Sequence, residues 1–191
     1  MPDSEFNQLQ TEFDYWYKGL SQSLRLTRAS VQKRKVSGQH GALLFLHLTY
    51  YQSLCDLTRI GMPDLFRLGR APVDFPAQQG IFLRHVQDLC FDSCIAVSRV
   101  YQEALRYGHE CLADTWLCIA AHDSMRVIIH YMANDMGSPA KRSDPTLYAM
   151  VVEALSSNIM ALQKMIPMFA LAKPLVCRSF EAPNEFFLIR C

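Results

Sequence analysis

The run "LHLTYYQSLCDLTRIGMPDL", residues 46 to 65, places a His, two Tyr, a Cys, an Asp and an Arg within fourteen positions: His47, Tyr50, Tyr51, Cys55, Asp56 and Arg59. Imidazole and thiol(ate) are metal ligands, and His, Cys and Tyr can all move protons. Spacing decides what they can do together. On a helix, His47 and Cys55 lie eight residues apart, roughly 12 Å along the axis, too far to share one metal ion. His47, Tyr50, Leu54 and Leu57 fall near one another on the helical wheel, with Tyr51, Cys55 and Thr58 on the adjacent strip. That is a broad apolar face with polar tips, suited to a helix buried on two sides. Asp56 and Arg59 fall at its edge as a solvated or paired rim.

Three other groups carry reactive types. His122, Asp123 and His130 are the candidates for a helical enzyme or small-molecule carrier, with His122 and Arg126 on one face. The two histidines are again eight apart, so they do not share a metal. Cys90 and Cys94 are four apart and can meet on one helix face, but spacing supplies no ligand from elsewhere, so both read as small core hydrophobes. His109-Glu110 begins like a zincin motif, yet Ala113 stands where the second His is needed. No Glu-x-x-His pair, Gly-x-Ser-x-Gly elbow, Cys-x-x-Cys motif or glycine-rich phosphate loop is present. No catalytic, metal or DNA-binding residue is therefore assigned.

The elements that must hold these residues are helices. Phe6, Leu9, Phe13, Trp16, Leu20 and Leu24 form one amphipathic stripe, capped by Asp3 or Ser4. "TRASVQKRKVSGQHG" reads as a polar loop. A second helix is expected from about Gln39 to Ile60, stopped by Gly61 and Pro63. "PDLFRLG" offers one short helical turn. A third helix is expected over Gln78 to Tyr107, ended by Gly108, and a fourth from about Glu110 to Ala133. "NDMGSPAKRSDP" then reads as a connection. A fifth begins at Ser143 or Asp144 with Pro145 in its first position, and Pro167 ends or kinks it. The best strand candidate, "EFFLIRC", stands alone. The expected fold is all-α, a bundle or orthogonal array of about five long helices.

With 191 residues, the chain has length for one substantial core. A net charge of +1 selects no class of partner. Lys18, Arg25, Arg28, Lys33, Arg34 and Lys35 all fall in the acid-free interval between Asp14 and Asp56, a basic stretch read as a solvated helix connection. The start "MPDSEFNQLQ" is unlike a signal peptide. The uncharged span Val36–Cys55 is too polar to cross a membrane. Seven cysteines with no secretory signal point to reduced thiols. The expectation is a soluble, intracellular chain.

The opening run also resembles a helix late in the middle homology region of fungal transcription factors with a six-cysteine binuclear zinc cluster. The positions that carry the likeness are Leu46, His47, Tyr50, Tyr51, Leu54, Leu57, Arg59 and Pro63. "FDYWYKGLSQSL" is similar to the Trp-bearing helix before it, "LCFDSCIAVSRVYQEAL" to the Cys- and Ala-bearing helix after it, and "VEALSSNIMALQKMIPMFALAKPL" to the late helix of the region. The likeness covers residues 5 to 175.

It implies a partial regulatory domain over residues 1–175 and a variable tail over 176–191, in the nucleus, controlling transcription by RNA polymerase II without touching DNA. The family's zinc and its base contacts belong to an N-terminal cluster that these residues do not contain, so no cofactor is expected here. The implied partners are other protein chains or the region's missing N-terminal half, a small-molecule effector and, through an exposed apolar face, a second copy.

Overall fold

The computed structural model describes residues 4–62, 65, 79–135 and 144–179. All regular structure among the described residues is helical. Seven α-helices follow in order: α1 Glu5–Lys18, α2 Arg28–Val36, α3 His40–Thr58, α4 Gly80–Tyr107, α5 Thr115–Asp135, α6 Pro145–Met165 and α7 Ala172–Ser179. "EFFLIRC", Pro63, nearly all of "PDLFRLG" and residues 136–143 of "NDMGSPAKRSDP" lie outside the described residues. Among the described residues, no helix is long and apolar enough to cross a membrane.

The chain divides into two compact units, Met1–Ser93 and Cys94–Cys191, with the boundary inside α4. In the first unit, α1 and α2 both pack on α3. The Ser4 hydroxyl caps α1 by accepting from Asn7 N–H at 3.3 Å. This helix stops at Lys18, although Leu20 and Leu24 continue its period. The Gly19 N–H bonds back to the Tyr15 carbonyl at 3.0 Å, and the chain turns into a short 3₁₀ segment, Gln22–Leu24.

The polar "loop" after it is instead a helix. Thr27 and Ser30 cap each other reciprocally, with Ser30 N–H donating to Thr27 Oγ1 at 3.2 Å and Thr27 N–H donating to Ser30 Oγ at 3.0 Å. Only Ser30 and Val31 of α2 are buried, a contact too narrow to register as an apolar stripe. Part of the basic stretch is used internally. Arg25 donates to the carbonyls of Leu20 and Lys18, and Arg34 donates to that of Ser23.

The end of α3 runs through a 3₁₀ turn, Arg59–Gly61, where a side chain would be crowded. A Cβ on Gly61 would meet Val86 Cγ1 at 3.0 Å and the Gln87 backbone nitrogen at 3.2 Å. Gln87 seals the contact by donating to the Gly61 carbonyl at 2.9 Å.

In the second unit, α5, α6 and α7 pack on one another. The Tyr101 hydroxyl donates to the Leu117 carbonyl at 2.7 Å from a fully buried position. Asn158 donates to Ser124 Oγ at 2.9 Å, and Ser124 in turn donates to the Ala121 carbonyl at 3.0 Å. Asp144 caps α6 by accepting from the Thr146 and Leu147 N–H groups, with Pro145 in the first turn as expected. Bonds from the Thr146 hydroxyl and from those two amides hold the Asp144 carboxyl below its usual pKa.

Candidate functional site

The reactive side chains of the opening run meet a partner that spacing did not single out. Tyr17, in the last turn of α1, reaches His47 and Tyr51 of α3. Its hydroxyl lies 3.1 Å from His47 Nδ1 and 2.8 Å from the Tyr51 hydroxyl, and His47 Nε2 lies 2.9 Å from the Leu24 carbonyl.

A carbonyl only accepts, so Nε2 carries the ring proton and Nδ1 is an acceptor. Tyr17 therefore donates to Nδ1 and accepts from Tyr51. The chain Tyr51→Tyr17→His47→Leu24 is a run of hydrogen bonds with one consistent polarity, tying α1, the 3₁₀ segment and α3 together. His47 is only 1% exposed, and burial pushes its pKa below the ordinary value, partly offset by the bond to Leu24. Burial, the bond to Tyr51 and the neighbouring tyrosines raise that of Tyr17.

Tyr50 adds the aromatic half. Its ring stacks on Tyr17 with centroids 4.0 Å apart and planes 9° apart, and it also contacts Trp16 at 5.9 Å and Phe13 at 6.4 Å. Burial, followed by the Asp14 carboxylate, pushes its pKa up to about 12. Burial thus favours the neutral imidazole of His47 and the protonated hydroxyls of Tyr17 and Tyr50, with the Asp14 carboxylate beside Tyr50.

Beside the cluster is an apolar groove of about 640 Å³ between α1 and α3. Leu9, Phe13 and Trp16 line one side, Phe45, Leu46 and Tyr50 the other, with Glu12, Thr49 and Ser53 as polar points. The sequence stripe Phe6–Trp16 reads as a core face, yet no residue of α1 is buried, and Leu9 and Trp16 remain 45% and 46% exposed. The groove is the reason: those side chains line a channel open to solvent.

Leu54 and Leu57 are half-buried, and Arg59 pairs with Asp56 at the rim as the wheel implied. The His122 imidazole lies 3.5 Å from the Asp123 carboxylate, its own chain neighbour, and His130 is half-buried two turns further along α5.

Cys55 departs most from its sequence reading: its sulfur lies 3.8 Å from that of Cys90. The signal that could have located Tyr17 is a pair of matched features, a polar-tipped aromatic doublet at the end of α1 and another within α3. Comparisons with family models, curated proteins and solved structures return no match.

Proposed function

We propose that this chain is a regulatory, non-DNA-contacting helical segment of a fungal zinc-cluster transcription factor, and that the groove between α1 and α3 receives its effector. The family part of this reading rests on the order of the quoted motifs. The effector part rests on one observation: apolar Leu9, Trp16 and Phe45 stand exposed along a groove whose lining includes Tyr50, itself stacked on Tyr17. Its volume falls in the range of small-molecule sites, and its lining is mainly apolar with a few polar points, which selects an uncharged, largely apolar molecule. An occupant would bridge α1 to α3 and alter how α1 is held, a structural readout suited to regulation.

Tethering the chain to a heterologous DNA-binding domain upstream of a reporter tests the regulatory role. The expected result is a reporter level that differs from that of the DNA-binding domain alone and shifts with Phe45→Glu. Equal output from all three proteins would sink the reading. The groove is tested separately with an uncharged solvatochromic dye followed through Trp16 fluorescence. Phe45→Glu is expected to abolish binding, and unchanged binding would remove the groove as receptor. The alternative, a helical enzyme or carrier using His122, Asp123 and His130, has the His122–Asp123 pair in its favour. It predicts a ligand whose affinity falls with His122→Ala and is untouched by Phe45→Glu.

A further inference from the structure

Cys55 of α3 and Cys90 of α4 form a dithiol between two helices of the first unit. Their sulfurs are 3.8 Å apart, the Cys90 thiol also lies 3.9 Å from the Cys55 carbonyl, and both residues are 0% exposed. Neither is in a disulfide. Cys94 follows Cys90 by one turn on the same helix but falls in the second unit. Two thiols at contact distance, brought together from positions 35 residues apart, are a preformed chelate for a thiophilic centre.

We propose that Cys55 and Cys90 bind trivalent arsenic, taken up as arsenous acid. Two As–OH bonds break and two As–S bonds form. Each thiol proton leaves with a hydroxyl as water, so two waters are released, arsenic stays trivalent and nothing is oxidised or reduced. Reactants and product are all neutral, and that is what favours arsenic at this place. Two thiolates on monovalent copper would leave a net negative charge where there is no exposure to solvent, at a large desolvation cost. Zinc closes its shell at four ligands, twice what this pair supplies. A pyramidal arsenic centre holds two sulfurs near contact, close to their present separation. Arsenous acid is small and uncharged at neutral pH, so its entry needs only a local opening of α4 from α3. This site is separate from the groove and does not depend on the regulatory reading.

The test uses the full chain, reduced with a phosphine rather than a thiol, incubated with sodium arsenite and weighed by native mass spectrometry. The expected product carries one arsenic, its mass the sum of protein and arsenous acid less two waters. It is lost in Cys55→Ala and in Cys90→Ala and retained in Cys94→Ala, Cys111→Ala and Cys177→Ala. Cys55→Val and Cys90→Val, closer in volume to the native side chain, replace the alanine variants if circular dichroism shows that these have unfolded. Absence of an arsenic adduct in the wild type, its persistence without Cys55 or Cys90, or its loss with Cys94, Cys111 or Cys177 would each overturn the proposal.

Discussion

Helices α3 and α5 look alike as sequences: each is long, mostly apolar, and carries a histidine eight residues before a second reactive side chain. Their histidines are used in opposite ways. His47 is bonded to Tyr17, thirty residues earlier, and to Leu24, twenty-three earlier, and is closed off from solvent. His122 is paired with the next residue in the chain, and 12% of its side chain is exposed. Helical spacing describes neighbours along one rod. Whether a histidine ties distant elements together or pairs with its own neighbour is decided by what a different element presents to it.

The sharpest way to break this contrast is truncation of each histidine. His47→Ala leaves a cavity and strands both the Leu24 carbonyl and the Tyr17 hydroxyl, and should cost about 2–4 kcal/mol of unfolding free energy. His122→Ala, which removes a ring that is 12% exposed and its contact with the adjacent Asp123, should cost less, about 1 kcal/mol. Urea denaturation of the two variants measures the gap; similar losses would show that the network adds nothing beyond ordinary packing.

Removing one oxygen at a time sharpens the comparison. Tyr17→Phe keeps the ring stack on Tyr50 but deletes the donor to His47 and the acceptor for Tyr51, and should cost about 1–2 kcal/mol. Tyr51→Phe removes only the end of the chain and should cost about 0.5–1 kcal/mol. The reverse order would show that Tyr17 is not the energetic centre of the chain.

The pH response follows from the direction of the His47 shift. Burial lowers its folded pKa below that of the unfolded chain, so on acidification the unfolded state takes up the proton first. The contribution of neutral His47 is complete above the unfolded value of about 6.5 and is lost as pH falls from there through the folded value. Denaturation midpoints at pH 7.5 and 5.5 should therefore differ in the wild type, and differ less in His47→Gln, which cannot titrate. An unchanged pH dependence in the variant would assign the effect to other groups.

Much of this architecture is legible in the residues. The presence of α3 to α6, the Asp144–Pro145 start and the Gly61 and Gly108 stops express local rules of period and capping. What escaped is what local rules do not carry. Helix α2 exists because Thr27 and Ser30 cap it and α3 receives Val31, while its own sequence is almost wholly polar. The hydrophobic period of α1 continues past Lys18, and the backbone bond at Gly19 ends the helix regardless. In the candidate site, His47, Tyr50 and Tyr51 are visible as a cluster on one helix, but Tyr17 sits at the edge of the α1 stripe, and its value depends on a contact across thirty residues. Cys55 and Cys90 escaped for the same reason. The single-helix wheel separated what tertiary packing joins.

The smallest expected effect tests the rim where that wheel worked. Asp56 and Arg59, three residues apart, were placed at the edge of α3 by period alone, and they pair there with half of the Asp56 side chain still exposed. Exposed pairs at this spacing contribute little, because water and salt screen them and two long side chains must be held still. Arg59 is also partly sheltered, so its aliphatic stem adds some packing. Arg59→Ala should accordingly cost about 0.5 kcal/mol, and most of that loss should survive in high salt, because it is packing rather than charge. A loss above about 2 kcal/mol that disappears in high salt would mean that the rim pair is a structural tie comparable to His47. The distinction between edge and interior on α3 would then fail.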